Sequence, residues 1–129
     1  MKLLLDTHAF LWWVAEDDRL PGRARRLIAN QGNEVLFSVV SAWEITVISG
    51  LGRLKLDVDP ARFIRRELEA NRFEVLPLHL SHVIWVADLP QHHRDPFDRL
   101  LLAQALSERI PIVTGDRALR SYPVKIVWD

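Results

Sequence analysis

Four carboxylate residues stand where short apolar segments give way to a loop or a helix: Asp6, Glu44, Asp98 and Asp116. In an open parallel sheet the strand ends form the functional edge, so side chains placed there are expected to converge. Two unit charges about 4 Å apart repel by roughly 4 kcal/mol at an effective dielectric of about 20. Such a cluster must therefore hold a proton, a basic partner or a divalent cation, and we favour the cation.

Composition limits the classes of protein that this chain can be. Its 129 residues suit a single domain, 1–129, and its 49% hydrophobic and 26% charged residues are ordinary for a globular protein. The 17 Lys and Arg residues balance 17 Asp and Glu residues, so affinity for nucleic acid would need a local basic patch. The absence of Cys excludes disulfides and thiolate metal sites. The apolar runs are too short for a membrane span or a signal peptide, so we expect a cytoplasmic protein.

Short β-like runs alternate with longer helical patterns along the chain. This alternation predicts an α/β fold, a three-layer α/β/α arrangement with a central, mostly parallel sheet. Strands are predicted at 2–6, 34–38, 73–76, 111–114 and 125–127, and helices at 7–15, 21–29, 41–50, 60–70, 81–88, 97–109 and 116–120. The first helix is apolar nearly all round, which predicts either a buried core helix or a partner surface.

Each acidic residue also has a local structural interpretation. Asp6 and Asp116 could cap the helices that follow them. Glu44 lies three residues after Ser41, the spacing of a capping box, yet it shares an apolar stripe of its helix. For these three residues the local and the functional interpretations stay open.

The two acidic residues on either side of Pro96 and Phe97 are predicted to have different roles. Asp95 precedes Pro96 and is predicted to cap the helix, with the proline in the first turn. Asp98 lies in that first turn and shares a face with Leu101 and Leu102. It is therefore predicted to stand at the end of a buried helix face, which favours a functional role.

Four segments together resemble the PIN-domain family, in particular the toxin ribonucleases of the VapBC toxin–antitoxin type. They are Leu4–Thr7, Ser38–Ile45, His93–Leu101 and Ile112–Asp116, and the third is the most specific. The resemblance implies a parallel sheet with three or four acidic side chains at its carboxyl edge. Those positions fall on the four carboxylates, with Asp6, Asp98 and Asp116 expected to bind metal and Glu44 to join them in catalysis.

The resemblance also implies an activity and partners. We expect an Mg²⁺-dependent endoribonuclease, with Mn²⁺ able to substitute, in which a metal-activated water hydrolyses an RNA phosphodiester to a 5′-phosphate and a 3′-hydroxyl. It implies a homodimer and a cognate antitoxin whose basic side chain reaches the acids. Around the metal, Thr114 or Thr7 is expected to orient a carboxylate or water, Asp95 to lie just behind the metal ligands, and Arg99 and Arg117 to contact phosphate.

Two alternatives to a nuclease stay open. A receiver-type signalling domain would carry an adjacent acidic pair after the first strand, where this chain has only Asp6. A PIN-like module that binds RNA or protein without cutting would keep the fold. The five histidines lack the paired helical spacing of a zinc hydrolase and are interpreted as loop or surface residues, with His8 nearest the expected site.

Overall fold

A parallel five-stranded sheet forms the centre of the computed structural model, which describes residues 1–129. The strands are β1 (Lys2–Leu5), β2 (Glu34–Ser38), β3 (Glu74–Leu76), β4 (Ile112–Val113) and β5 (Ile126–Val127). Their order is β3-β2-β1-β4-β5, and every neighbouring pair is parallel. The predicted α/β class with a parallel sheet is confirmed.

Six α-helices and one 3₁₀ helix connect the strands. They are α1 (Thr7–Val14), α2 (Gly22–Ala29), α3 (Val39–Gly50), α4 (Pro60–Asn71), α5 (Leu80–Asp88) and α6 (Pro96–Glu108), followed by the 3₁₀ helix Arg117–Ser121. Every predicted element is present, with bounds that move by no more than two residues. None of the helices has the length and apolarity that crossing a membrane requires.

The predicted cap of α3 is wrong by one turn. Ser38, the last residue of β2, has an extended backbone, and its hydroxyl accepts a hydrogen bond from the Val40 N–H at 2.9 Å. Ser41 lies inside the helix, buried, where its hydroxyl accepts from Thr7 at 3.0 Å. The helix therefore follows β2 without a loop, and Glu44 lies in its second turn.

Alternating side chains of the strands feed two separate cores. Leu3 and Leu5 of β1 pack into one core with Phe10 of α1, whereas Leu4 packs into the other with Leu101 of α6. A sheet that is apolar on both faces needs helices on both, as parallel sheets generally do. The strand ends are consequently fixed from both sides.

The order in which the chain adds strands to the sheet reverses between β1 and β4, although all strands run in the same direction. From β1 the chain moves through β2 to β3 on one side, and β4 and β5 occupy the other side. The crevice outside the carboxyl ends of strands at such a switch point is the usual ligand site of open α/β sheets. Asp6 follows β1 at this point, and its N–H donates to the Val113 carbonyl of β4 at 3.0 Å.

Helix α1 is buried along only one face. Ala9 and Phe10 are fully buried, whereas Trp12 and Trp13 are half-buried. Helix α1 is therefore a core helix on one side only, and its other side is partly exposed. Trp12 faces a cavity at the carboxyl edge of the sheet.

Candidate metal centre

Asp6 serves both as a helix cap and as a member of the site. Its Oδ1 accepts a hydrogen bond from the Ala9 N–H at 2.7 Å, which caps α1. Because a carboxylate has two oxygens, capping leaves Oδ2 for another partner. Burial raises the pKa of Asp6 to about 6, although hydrogen bonds from Thr114 and Ala9 and the charge of His8 act to lower it.

Asp95, and not Asp98, caps the N-terminus of α6. The Asp95 carboxylate accepts hydrogen bonds from the N–H groups of Phe97 and Asp98, at 2.9 and 3.1 Å, and so caps α6 as predicted. The carboxylate of Asp98 faces the other acids instead. Burial raises the pKa of Asp98 to about 7, with further contributions from the charges of Asp95, Asp6 and Glu44.

Glu44 contributes a buried oxygen with no protein partner. The residue is only 8% exposed, and its Oε1 makes no hydrogen bond. Its charge also helps to raise the pKa of both Asp6 and Asp98, which places it beside them. A buried polar atom without a partner costs about 1–3 kcal/mol, and such atoms are rare in folded proteins. This oxygen is therefore a natural contact for a ligand.

Asp116 and Asp98 both contact the ring of His93. Asp116 Oδ1 accepts from the Ala118 N–H at 3.0 Å and caps the 3₁₀ helix, and its Oδ2 lies 2.6 Å from His93 Nε2. The same nitrogen is 3.2 Å from Asp98 Oδ2. The Asp95 N–H donates to His93 Nδ1 at 3.0 Å, which assigns the proton of the neutral ring to Nε2. His93 therefore donates to Asp116 and lies against Asp98, so the partial positive charge of its N–H offsets part of the repulsion between the two carboxylates.

Interpreting the histidines as loop or surface residues is wrong for His82 and incomplete for His93, which lies in a loop but contacts two of the acids. His93 belongs to the site, and His82 is buried, with its Nδ1 accepting from the His79 N–H at 3.0 Å. The signal for His93 was its place two residues before the capping Asp95, inside the most specific segment. The contact with Asp116 joins residues 23 positions apart, so local patterns do not reveal it.

The donors at this edge fit a hard divalent cation. Asp6, Asp98 and Asp116 border one cavity of about 510 Å³. Ligand atoms of His93, Asp98 and Asp116 lie within 4.8 Å of one another. Carboxylate oxygens without thiolates are the donors that Mg²⁺ and Mn²⁺ prefer. Glu44 belongs neither to this group of ligand atoms nor to the lining of the cavity.

Arg99 does not reach the cavity, so the expected phosphate contact is wrong. The side chain is only 7% exposed, and its guanidinium donates to the carbonyls of Pro90 at 3.0 Å and Val86 at 3.1 Å. The Tyr122 hydroxyl donates to the same Pro90 carbonyl at 2.7 Å and accepts from the His93 N–H at 3.1 Å. Together Arg99 and Tyr122 hold the segment that carries His93.

The remaining predicted residues divide between the site and the framework. Thr114 hydrogen-bonds Asp6 and accepts from the Asp116 N–H at 3.1 Å, which supports its orienting role. Thr7 instead uses its hydroxyl on Ser41, where it joins α1 to α3, so of the two threonines Thr114 is the one that contacts a carboxylate. Arg117 is exposed directly beside Asp116.

Fold and site together define a class: a parallel α/β protein with a carboxylate cluster, suited to a divalent cation, at the switch point of its sheet. The chain belongs to the PIN-domain family, whose model matches residues 3–125. It is similar to the ribonuclease VapC22 of Mycobacterium tuberculosis (strain ATCC 25618 / H37Rv), with 30% identity over 121 residues, 93% of this chain and 91% of the relative.

Solved structures support the fold. A chain in the crystal structure of VapBC2 from Rickettsia felis bound to a DNA fragment from their promoter superposes with a TM-score of 0.74 at 17% identity, covering 100% of both chains. A chain of DNA-bound VapBC from Salmonella typhimurium gives 0.67 at 22% identity, covering 98% of this chain and 97% of that one. At these identities the likeness establishes the arrangement of strands and helices.

The raised pKa values predict how stability depends on pH. In the unfolded chain an Asp titrates near pH 4, so between about pH 4 and 7 the folded protein holds protons that the unfolded chain has released. Stability of the cation-free protein should fall as pH rises through this window. Asp98→Asn should be more stable than the wild type by about 2 kcal/mol at pH 8 and no more stable at pH 4. Urea unfolding in EDTA measures this, and a variant less stable than the wild type at pH 8 would contradict it.

The contrasting environments of two arginines predict opposite effects of mutation. Arg99→Gln leaves buried carbonyls without donors and should lower the free energy of unfolding by about 3 kcal/mol. Arg117→Gln changes an exposed side chain and should alter it by less than about 0.5 kcal/mol. Equal effects in urea denaturation would refute the framework role of Arg99.

Proposed function

We propose that this protein is a divalent-cation-dependent endoribonuclease and acts as the toxin of a toxin–antitoxin pair. The observation that carries the proposal is the convergence of four carboxylates at one sheet edge, two with strongly raised pKa values and one with an unpaired buried oxygen. The 30% identity with the ribonuclease VapC22 supports RNA as the substrate.

Three carboxylates of the cluster would hold the cation, Mg²⁺ with Mn²⁺ able to substitute. Asp6 and Asp116 each have one oxygen fixed by a backbone N–H, so the other oxygen has a defined direction. Asp98 joins them because Asp95 takes over the capping of α6. A cation bound there lowers the pKa of a coordinated water and offsets charge on a phosphoryl oxygen.

Glu44 is proposed to orient the attacking water. Its buried Oε1 accepts no protein hydrogen bond, so it can accept one from a water molecule. The water oxygen bonds to phosphorus, the bond from phosphorus to the 3′-oxygen breaks, and that oxygen takes up a proton. The products are a 5′-phosphate and a 3′-hydroxyl.

RNA also needs contacts outside the carboxylate cluster, because its phosphates are repelled by the acids. Arg19 borders the cavity, and Arg94 and Arg117 are exposed next to the segments that carry the site. Binding through such residues releases counterions and should weaken steeply with salt.

An antitoxin partner follows from the same electrostatics. A crowded carboxylate cluster in an open cavity would be stabilised by a basic side chain inserted from another protein. The structural neighbours include VapBC toxin–antitoxin complexes, among them VapBC-5 from Mycobacterium tuberculosis, with a TM-score of 0.62, 20% identity, and coverage of 99% of this chain and 98% of that one. We therefore propose that the cognate antitoxin covers this cavity.

A homodimer is the second proposed association. Helix α5 exposes a continuous set of large apolar side chains, with Leu80 75% exposed and Val83, Ile84 and Trp85 also exposed. Exposed apolar patches of this kind mark interaction sites. A second copy of the chain would bury this face.

Cleavage assays test the proposed activity. Purified protein with Mg²⁺ or Mn²⁺ should cleave single-stranded RNA, and EDTA should abolish cleavage. Asp98→Asn should reduce the rate at least about a hundredfold, since it removes a carboxylate from the cluster. Asp88→Asn is the matched control, because Asp88 is exposed at the end of α5, and it should retain the wild-type rate. Full activity in EDTA or in Asp98→Asn would overturn the proposal.

A further inference from the structure

The cavity that contains the carboxylates has an aromatic half. Besides Asp6, Asp98 and Asp116, its lining includes His8, Trp12, Arg19, Gly115 and Trp128. Another cavity of similar volume, about 550 Å³, includes the first residues of β2 and β3, Glu34 and Glu74, in its lining and none of the four carboxylates. Aromatic rings and the candidate cation site thus share one space.

Trp128 lies close to the carboxylates because Gly115 lacks a side chain. A Cβ atom at Gly115 would lie 2.6 Å from the Trp128 ring, so only glycine lets the indole pack against this backbone. Gly115 directly precedes Asp116. The indole is therefore held at the border of the cluster.

Trp12 extends the aromatic surface from the other side. Its ring centroid is 5.8 Å from that of Trp128, with 51° between the planes, and 5.7 Å from that of His8. Both indoles are only half-buried. The Arg19 guanidinium carbon is 4.8 Å from the centroid of the Trp12 ring, which places a cation in the same group.

This combination suits a nucleobase better than it suits a phosphate. Beside a carboxylate cluster, phosphates are repelled, whereas a neutral, flat base can stack on an indole face. Base–aromatic stacking is the main non-ionic source of affinity for single-stranded nucleic acid, and it tolerates any sequence. A space of about 510 Å³ is within the usual range of a small-molecule site.

We propose that Trp12 and Trp128 form a stacking site for one unpaired nucleobase of the RNA, next to the phosphodiester that is cut. This inference rests on the proposed function and adds its substrate class. A base within a duplex already stacks on both neighbours, so the site selects single strands and loops over duplex RNA.

Binding measurements on variants test the stacking site. A labelled single-stranded RNA is titrated into Asp98→Asn protein, which prevents cleavage during the measurement. Adding Trp128→Leu or Trp12→Leu should each raise Kd about tenfold, and Trp128→Phe, which keeps a ring, should raise it less. Trp43→Leu is the matched control, because Trp43 is 61% exposed on α3 and outside the cavity, and it should leave Kd unchanged. Thermal unfolding of each variant confirms that it is folded.

A double-mutant cycle identifies the contact itself. Each nucleotide of the RNA is replaced in turn by an abasic residue. At one position, removing the base should weaken binding about tenfold when Trp128 is intact. The same removal should cause no further loss of affinity in the Trp128→Leu variant. Independent, multiplying effects at every position, or Trp variants that bind within twofold of the parent, would overturn the stacking site.

The cleavage activity of the wild type separates the two possible failures. If the wild type cuts RNA while the Trp variants bind normally, the stacking site is wrong and the proposed function stands. If the wild type neither cuts nor binds RNA under any divalent cation, both are overturned.

Discussion

The burial of carboxylates beside one another is the constraint on which the rest of this structure depends. The fold brings Asp6, Glu44, Asp98 and Asp116 to one sheet edge from four separate segments, and the raised pKa values of Asp6 and Asp98 record the cost of burying them, to which repulsion from neighbouring acids adds. The protein offsets only part of it. Backbone N–H groups hold one oxygen each of Asp6 and Asp116, and His93 donates to Asp116 and lies against Asp98. Groups whose pKa values are strongly shifted at such a cost in stability are typical of functional sites.

Framework contacts explain how such a cluster keeps its geometry. Neighbouring residues of α6 have opposite tasks: Asp98 faces the cavity, while Arg99 is buried and binds the carbonyls of the segment before the helix. Tyr122 binds the same segment from the other side. His93 is thereby fixed from behind, and its ring is oriented by the Asp95 N–H. The position of the His93 segment is therefore set by buried contacts to backbone groups, not by contacts among the acids.

Much of the fold was predictable because its signals are local. Caps, prolines and apolar periods marked the helices and strands, although the cap of α3 was placed one turn too late, and a parallel sheet gathers strand-end residues such as Asp6 and Asp116. The interpretation of each acid as either a cap or a site residue set up a false choice, since Asp6 is both. Arg99 and His93 escaped prediction for a different reason. Their partners are irregular carbonyls and carboxylates distant in sequence, and no period or cap signal encodes such contacts.

Crystallography of the protein grown with Mn²⁺ tests the central claim most directly, because anomalous scattering locates the ion without reference to activity. We expect one strong anomalous peak, or two adjacent ones, in direct contact with oxygens of Asp6, Asp98 and Asp116. The ring of His93 should be turned or displaced from its position between the carboxylates. A crystal saturated with Mn²⁺ that shows no ion at this edge, with His93 still bridging Asp98 and Asp116, would contradict it.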